Sequence, residues 1–189
     1  MNHARQFVAL AALVVACACP SLACAQAVSA AEPHAHAGQP QLVILDTDIG
    51  DDIDDAFALA LALRSPELRL LGIATEFGDT ELRARLVDRY LAAVGRSDVP
   101  VAAGVRTPAT NHLTQAAYAR QEPDRKHPDA VGFLLGQIRA HPGQITLIAI
   151  GPLFNVQAAI ERAPATFRKL KRVVIMGGSV YRGYDDRKT

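Results

Sequence analysis

Four short apolar runs mark the chain, at Leu42–Leu45, Leu68–Ala74, Ile145–Ile150 and Val173–Met176. Each has strand length, and continuous apolar runs fit strands buried on both faces. Between them, over Asp54–Leu63, Thr80–Val94, Ala130–Ala140 and Leu153–Arg162, the apolar residues recur at helical spacing, as a helix with one buried stripe requires. Val99–Ala102 adds a short strand, and Gly104–Asp129 is a long polar loop, a length usually reserved for function or disorder. Strand alternating with helix predicts an α/β fold: an open, mostly parallel, doubly wound, Rossmann-like sheet with helices on both faces. In such a sheet ligands bind outside the carboxyl ends of the strands, so the chemistry is sought in the loops that leave them.

The N-terminus follows different rules. Arg5, the apolar run Phe7–Cys19 and the small residues of Ala23-Cys24-Ala25 read as a secretory signal peptide over residues 1–25. The run is shorter than the ~20 residues a membrane-spanning helix needs. A periplasmic or extracellular location follows; the alternative is lipoprotein processing after Val14-Val15-Ala16, leaving a lipidated Cys17. All three cysteines, Cys17, Cys19 and Cys24, fall within this segment, so neither a disulfide nor a thiolate metal site is expected beyond it. Residues 26–41, rich in Ala, Pro, Gly and His, read as a flexible linker. His34 and His36 would have to order that linker before binding a metal. Residues 42–189 then have the size of one domain.

Formal net charge is +1, which provides no global field for a polyanion. The basic cluster Arg168, Lys169, Lys171 and Arg172 lies where a helix ends, a place where cations complement the dipole. Nucleic-acid binding is not indicated.

The first strand runs directly into Asp46-Thr47-Asp48-Ile49-Gly50-Asp51-Asp52-Ile53-Asp54-Asp55, six carboxylates in ten residues. One acidic residue at a helix start is ordinary capping, and a second can complement the dipole. Six repel one another unless a hard cation neutralises them, and oxygen-only ligation suits calcium or magnesium.

Asp46-Thr47-Asp48-Ile49-Gly50 followed by Asp54-Asp55-Ala56-Phe57-Ala58-Leu59 resembles the N-terminal aspartate signature of the inosine-uridine-preferring nucleoside hydrolases. Leu147-Ile148-Ala149-Ile150-Gly151-Pro152-Leu153-Phe154-Asn155 is similar to that family's mid-chain strand and turn, and Val173–Gly178 to its strand ending in Met-Gly-Gly. The resemblance implies calcium-dependent hydrolysis of the N-glycosidic bond of ribonucleosides, giving ribose and free base. It implies that Asp48 touches the metal and accepts the proton of the attacking water. By the same carry-over Asp55 is the main carboxylate ligand, Ile150 offers its backbone carbonyl to the calcium, and Asp54 binds the ribose hydroxyls. Asp79, where many members have Asn, and Met176 would lie near the ribose. Asp46 would support the loop, and Asp51 and Asp52 read as an insertion. Family members commonly form dimers or tetramers, which makes a homo-oligomer an expectation.

The family continues past the Met-Gly-Gly strand with a further ribose-binding segment, a later metal-binding Asp and a His near the base. This chain is thus expected to be C-terminally incomplete and inactive or nearly so. Two other readings stand beside the hydrolase: a non-catalytic fragment that binds metal or riboside, and a magnesium-dependent phosphatase with Asp46 as nucleophile and Asp48 as acid and base. Gly50 and the Asp54-Asp55 pair fit the phosphatase poorly. His112 and His127 are candidates to reach the base; they and His141, all in or beside loops, are expected to be solvent-exposed. Asn155 is expected to brace the turn after Ile150, and Tyr118 and Tyr181 are candidates to stack on a base.

Overall fold

The computed structural model describes residues 38–108 and 113–178. The expected signal peptide, linker residues 26–37, all three cysteines, His112 and Tyr181 lie outside the described residues. The elements run β1 (Gln41–Thr47), α1 (Asp54–Arg64), β2 (Leu68–Thr75), α2 (Thr80–Ala93), β3 (Val101–Ala103), α3 (Ala116–Ala119), α4 (Ala130–Ala140), β4 (Ile145–Ala149), α5 (Phe154–Arg162), α6 (Pro164–Phe167) and β5 (Arg172–Ile175). No described helix is long and apolar enough to cross a membrane.

The five strands form one parallel sheet in the order β3-β2-β1-β4-β5. Successive side chains of β1 point to opposite faces, and each face has its own core. Leu45 joins Ile73, Leu59, Leu82, Leu86 and Leu91 on the α1 and α2 side. Ile44 joins Ile145, Leu147, Leu134, Leu135 and Ile138 on the α4 side, with Ala159 of α5. The chain winds outward from β1 through β2 to β3, then returns to β4 on the other side of β1. The carboxyl ends of β1 and β4 therefore flank the topological switch point, where doubly wound sheets bind their ligands.

The structure corrects the sequence reading in several places. β1 begins at Gln41 and ends at Thr47, so it takes the last residue of the expected linker and includes Asp46. β5 is not buried on both faces: Val173, Val174 and Ile175 are 38%, 43% and 55% exposed. It is the edge strand, paired only with β4 among the described residues. α1 turns Leu59 and Ala62 inward while Ile53, Phe57 and Leu61 stay exposed.

His127, expected in solvent or near a base, is buried instead. Its Nδ1 lies 2.7 Å from Glu81 Oε2 and its Nε2 2.8 Å from Asp88 Oδ2, both carboxylates on α2. Arg125 also pairs with Asp88, its Nε donating to Oδ2 at 2.7 Å. The cluster ties the end of the long loop to α2. Burial opposes the charged imidazole, but the hydrogen bonds to Asp88 and Glu81 outweigh it and raise the pKa above 6.5. Both nitrogens face carboxylate oxygens, and only the imidazolium donates from both.

A folded pKa above the unfolded value means that this stabilisation is complete below about pH 6.5 and is lost as pH rises through the folded value. Asp88, whose pKa is lowered despite burial by His127 and Arg125, keeps its side of the pair ionised on the acid side. His127→Gln is expected to cost about 2 kcal/mol at about pH 6 and clearly less at about pH 9. Urea unfolding at the two pH values checks this, and a gap that widens with pH would contradict the assignment.

Candidate functional site

The last two residues of β1 open the site. Asp46 is buried; its carbonyl accepts the Ile150 N–H at 2.9 Å, and its Oδ1 accepts from Asn155 Nδ2 at 2.7 Å. Thr47 closes the acidic loop on itself: its Oγ1 accepts from the Ile49 N–H at 3.1 Å and donates to Asp55 Oδ1. Asp54 Oδ1 accepts the Asp55 N–H at 3.0 Å. α1 has no side-chain N-cap, so Asp54 and Asp55 in its first turn meet the positive end of the helix dipole.

Arg83 of α2 holds the middle of the loop. Its side chain is 2% exposed, and it donates to the carbonyls of Phe77 at 2.8 Å, Ile49 at 2.9 Å and Asp48, while pairing with Asp51 Oδ2 at 2.9 Å. Gly50 adopts φ +123°, and a Cβ there would collide with Leu113 Cδ1 and lie 2.8 Å from Leu86 Cδ2. Both the left-handed backbone and the tight packing therefore require glycine. From the long loop, Thr114 Oγ1 reaches the carbonyls of Gly50 and Asp51 at 2.8 and 2.7 Å.

These contacts sort the expected residues. Asp51, of the two-residue extension, is a structural partner of Arg83. Its neighbour Asp52 is drawn into the cluster, for carboxylate oxygens of Asp52, Asp54 and Asp55 lie within 4.8 Å of one another. Asp55 is buried, Asp54 exposed and Asp48 half-buried. β1–β4 pairing brings Ile150 to the same end of the sheet. Asp79 caps α2, its Oδ1 accepting the Leu82 N–H at 3.3 Å while Oδ2 pairs with Arg106 at 3.2 Å. Met176 follows β5 and is 54% exposed, its N–H donating to Ala149 O at 2.9 Å. Tyr118 carries the Arg89 guanidinium over its ring at 4.5 Å, and His141 ends α4.

Electrostatics follow from burial and crowding. Burial, reinforced by Asp48 and Asp54, lifts Asp55 to about 6 although Thr47 hydrogen-bonds it. Asp48 is raised chiefly by burial, against the pull of Arg83. The exposed pair splits: Asp52 is raised and Asp54 lowered by the hydrogen bond between them.

Glu76, one residue past β2, was not singled out from sequence. It is fully buried, and burial lifts it to about 7 against the helix amides that hydrogen-bond it. Asp46 beside it is raised well above the usual carboxylate range by burial and by Glu76. A signal for Glu76 exists: it is a carboxylate at the carboxyl end of an apolar strand, as Asp46 is. Arg83 carried no such signal, because an arginine in an amphipathic helix reads as surface.

Asn155, expected to brace its own turn, reaches further. Its Nδ2 also donates to Thr75 O at 3.1 Å, and its Oδ1 accepts the Val105 N–H at 2.8 Å. Asn155→Ala strands the buried Asp46 Oδ1 and the half-buried Val105 N–H, while Thr75 O keeps the Gly104 N–H, and is expected to cost about 2–3 kcal/mol. Denaturant unfolding with an unchanged m-value tests this, and a loss below about 0.5 kcal/mol would contradict the bracing role.

The family model described as inosine-uridine preferring nucleoside hydrolase matches residues 43–185. Uridine nucleosidase 1 of Arabidopsis thaliana is 33% identical over 159 residues, which cover 76% of this chain and 47% of that protein. The pyrimidine-specific ribonucleoside hydrolase RihA of Enterobacter sp. is 36% identical over 152 residues, covering 73% and 48%. Among solved structures, a plant nucleoside hydrolase, PpNRh1, superposes with a TM-score of 0.67 at 32% identity, covering 79% of this chain and 52% of that one. A purine-preferring ribonucleoside hydrolase from Gardnerella vaginalis gives 0.64 at 26% identity, covering 78% and 52%. The chain spans about half the length of the curated relatives it matches.

Proposed function

Because this chain belongs to the inosine-uridine preferring nucleoside hydrolase family, we propose that its acidic loop is the cation-binding and water-activating part of a site that hydrolyses ribonucleosides to ribose and free base. The observation that carries this reading is the position of the loop: six carboxylates at the switch point of the sheet, three of them with oxygens within 4.8 Å of one another.

The donor set fits calcium. Every candidate ligand is an oxygen, and buried oxygens of Asp46, Asp51 and Glu76 have no hydrogen-bond partner, a costly arrangement that a hard cation relieves. Asp48, Asp55 and the Ile150 carbonyl would hold the ion, with Asp52 close to Asp55. When bound, calcium supplies positive charge that orients and acidifies the attacking water.

The chain's own residues do the rest. Asp48, half-buried and with its backbone carbonyl held by Arg83, accepts the proton; its raised pKa makes it a better base than an exposed aspartate. Asp54, exposed at the mouth of the loop, accepts hydrogen bonds from ribose hydroxyls. Asp79 and Met176 flank the sugar from the ends of β2 and β5. The concentrated negative charge stabilises an oxocarbenium-like ribosyl group. The named relatives include both pyrimidine-specific and purine-preferring enzymes, so we place the substrate at the level of a ribonucleoside. We also propose export to the periplasm or beyond, on the strength of the N-terminal pattern.

A second reading is that the acidic loop binds calcium or a riboside without turnover. Calorimetric titration with calcium, paired with ribose release from inosine and uridine, separates the two. Calcium binding is expected, with Asp55→Ala weakening it about 100-fold or more. Asp48→Asn is expected to lower turnover by about 10²–10⁴. Calcium binding without ribose release would select the second reading, and no calcium binding would reject the calcium-dependent hydrolase.

A further inference from the structure

We infer that Glu76 is a further carboxylate of the cation site, acting with Asp48 from the β2 side of the acidic loop. The inference rests on the calcium reading above and adds a residue from a different element. Glu76 is fully buried at the carboxyl end of β2, where its N–H donates to Thr47 O at 3.0 Å and so locks its backbone against β1. One carboxylate oxygen is accounted for: Oε2 accepts the Asn155 N–H at 3.3 Å in the first turn of α5. The other, Oε1, has no partner.

Oε1 faces Asp48. A Cβ at Gly151 would lie 2.7 Å from Glu76 Oε1 and 3.0 Å from Asp48 Oδ1, so both oxygens converge on one point that glycine leaves open. Gly151 directly follows Ile150, whose carbonyl belongs to the same site. Asp46 Oδ2, likewise buried and without a partner, lies in the same neighbourhood, since Asp46 and Glu76 share Asn155 as donor. The buried Arg83 of α2 is already committed to three carbonyls and Asp51. A buried carboxylate that keeps a bare oxygen beside two others is stable only when a proton or a cation completes it, and the convergence with Asp48 favours the cation.

Glu76→Gln separates this role from simple helix capping. The amide oxygen can still accept the Asn155 N–H, so a capping role predicts unchanged calcium affinity, whereas a ligand role predicts its loss. Calcium titration calorimetry on the full chain, with Asp55→Asn as a second variant, should show Glu76→Gln binding at least about tenfold more weakly. Thermal unfolding should show that ion-free Glu76→Gln melts no lower than the unmutated chain, because a crowded buried carboxylate has been removed, yet gains less on adding calcium. Equal calcium affinities would overturn the inference while leaving the calcium reading intact. A loss of affinity matched by an equal loss of ion-free stability would overturn it as well. If the unmutated chain binds no calcium, the calcium reading falls and takes this inference with it.

Discussion

Parallel pairing of β1 along both of its edges organises everything else in this protein. With β2 on one side and β4 on the other, the carboxyl end of β1 is the place where the winding reverses. Helices cannot cover that end, because each crossover departs to its own face. The polar groups that emerge there meet each other, and they are almost all acidic. Asp46 stands in register with Ala74 and Ala149, so an acidic residue is carried into the sheet before the loop begins.

That concentration of charge is tolerated through specific contacts. Thr47 fastens the loop to Asp55, Arg83 holds the backbone of Asp48 and Ile49 and neutralises Asp51, and Asn155 bridges Asp46 to the end of β2 and to the long loop. The first turn of α1 contributes its dipole. These devices shape the loop but provide one positive side chain for a group of carboxylates, and buried oxygens remain bare. The residual demand for positive charge is the physical link between this architecture and a divalent cation.

The long connection after β3 has a double attachment. Near its middle, Thr114 and Gln115 hydrogen-bond the carbonyl of Gly50; near its end, His127 and Arg125 lock onto α2. Arg83, Glu81 and Asp88 all belong to α2, so this one helix braces the acidic loop with one set of residues and the long loop with another. A segment that reads as a long polar loop is in this way tied to the acidic loop at its middle and to α2 at its end.

Much of the fold was legible in the chain, because burial on a sheet imposes local patterns. Apolar runs such as Ile145–Ile150 and the helical spacing of Thr80–Val94 announced strands and helices within a few residues of where they occur. The acidic loop was equally legible, since six carboxylates after a buried strand have no cheap structural explanation. Local pattern says nothing about partners distant in sequence. It could not distinguish Asp51, which is neutralised by an arginine 32 positions away, from Asp52, whose carboxylate clusters with those of Asp54 and Asp55. It gave Arg83 and His127 the look of surface residues, because their carboxylate and carbonyl partners lie on other elements. Glu76 became part of the site only when β1–β2 pairing and the return of α5 brought it against Asp46 and Asp48. By itself the sequence determined the α/β alternation and the acidic chemistry, which are set by burial and by composition over a few residues. Tertiary structure alone decided which oxygens are satisfied and which stay bare, because that depends on which strands share an edge.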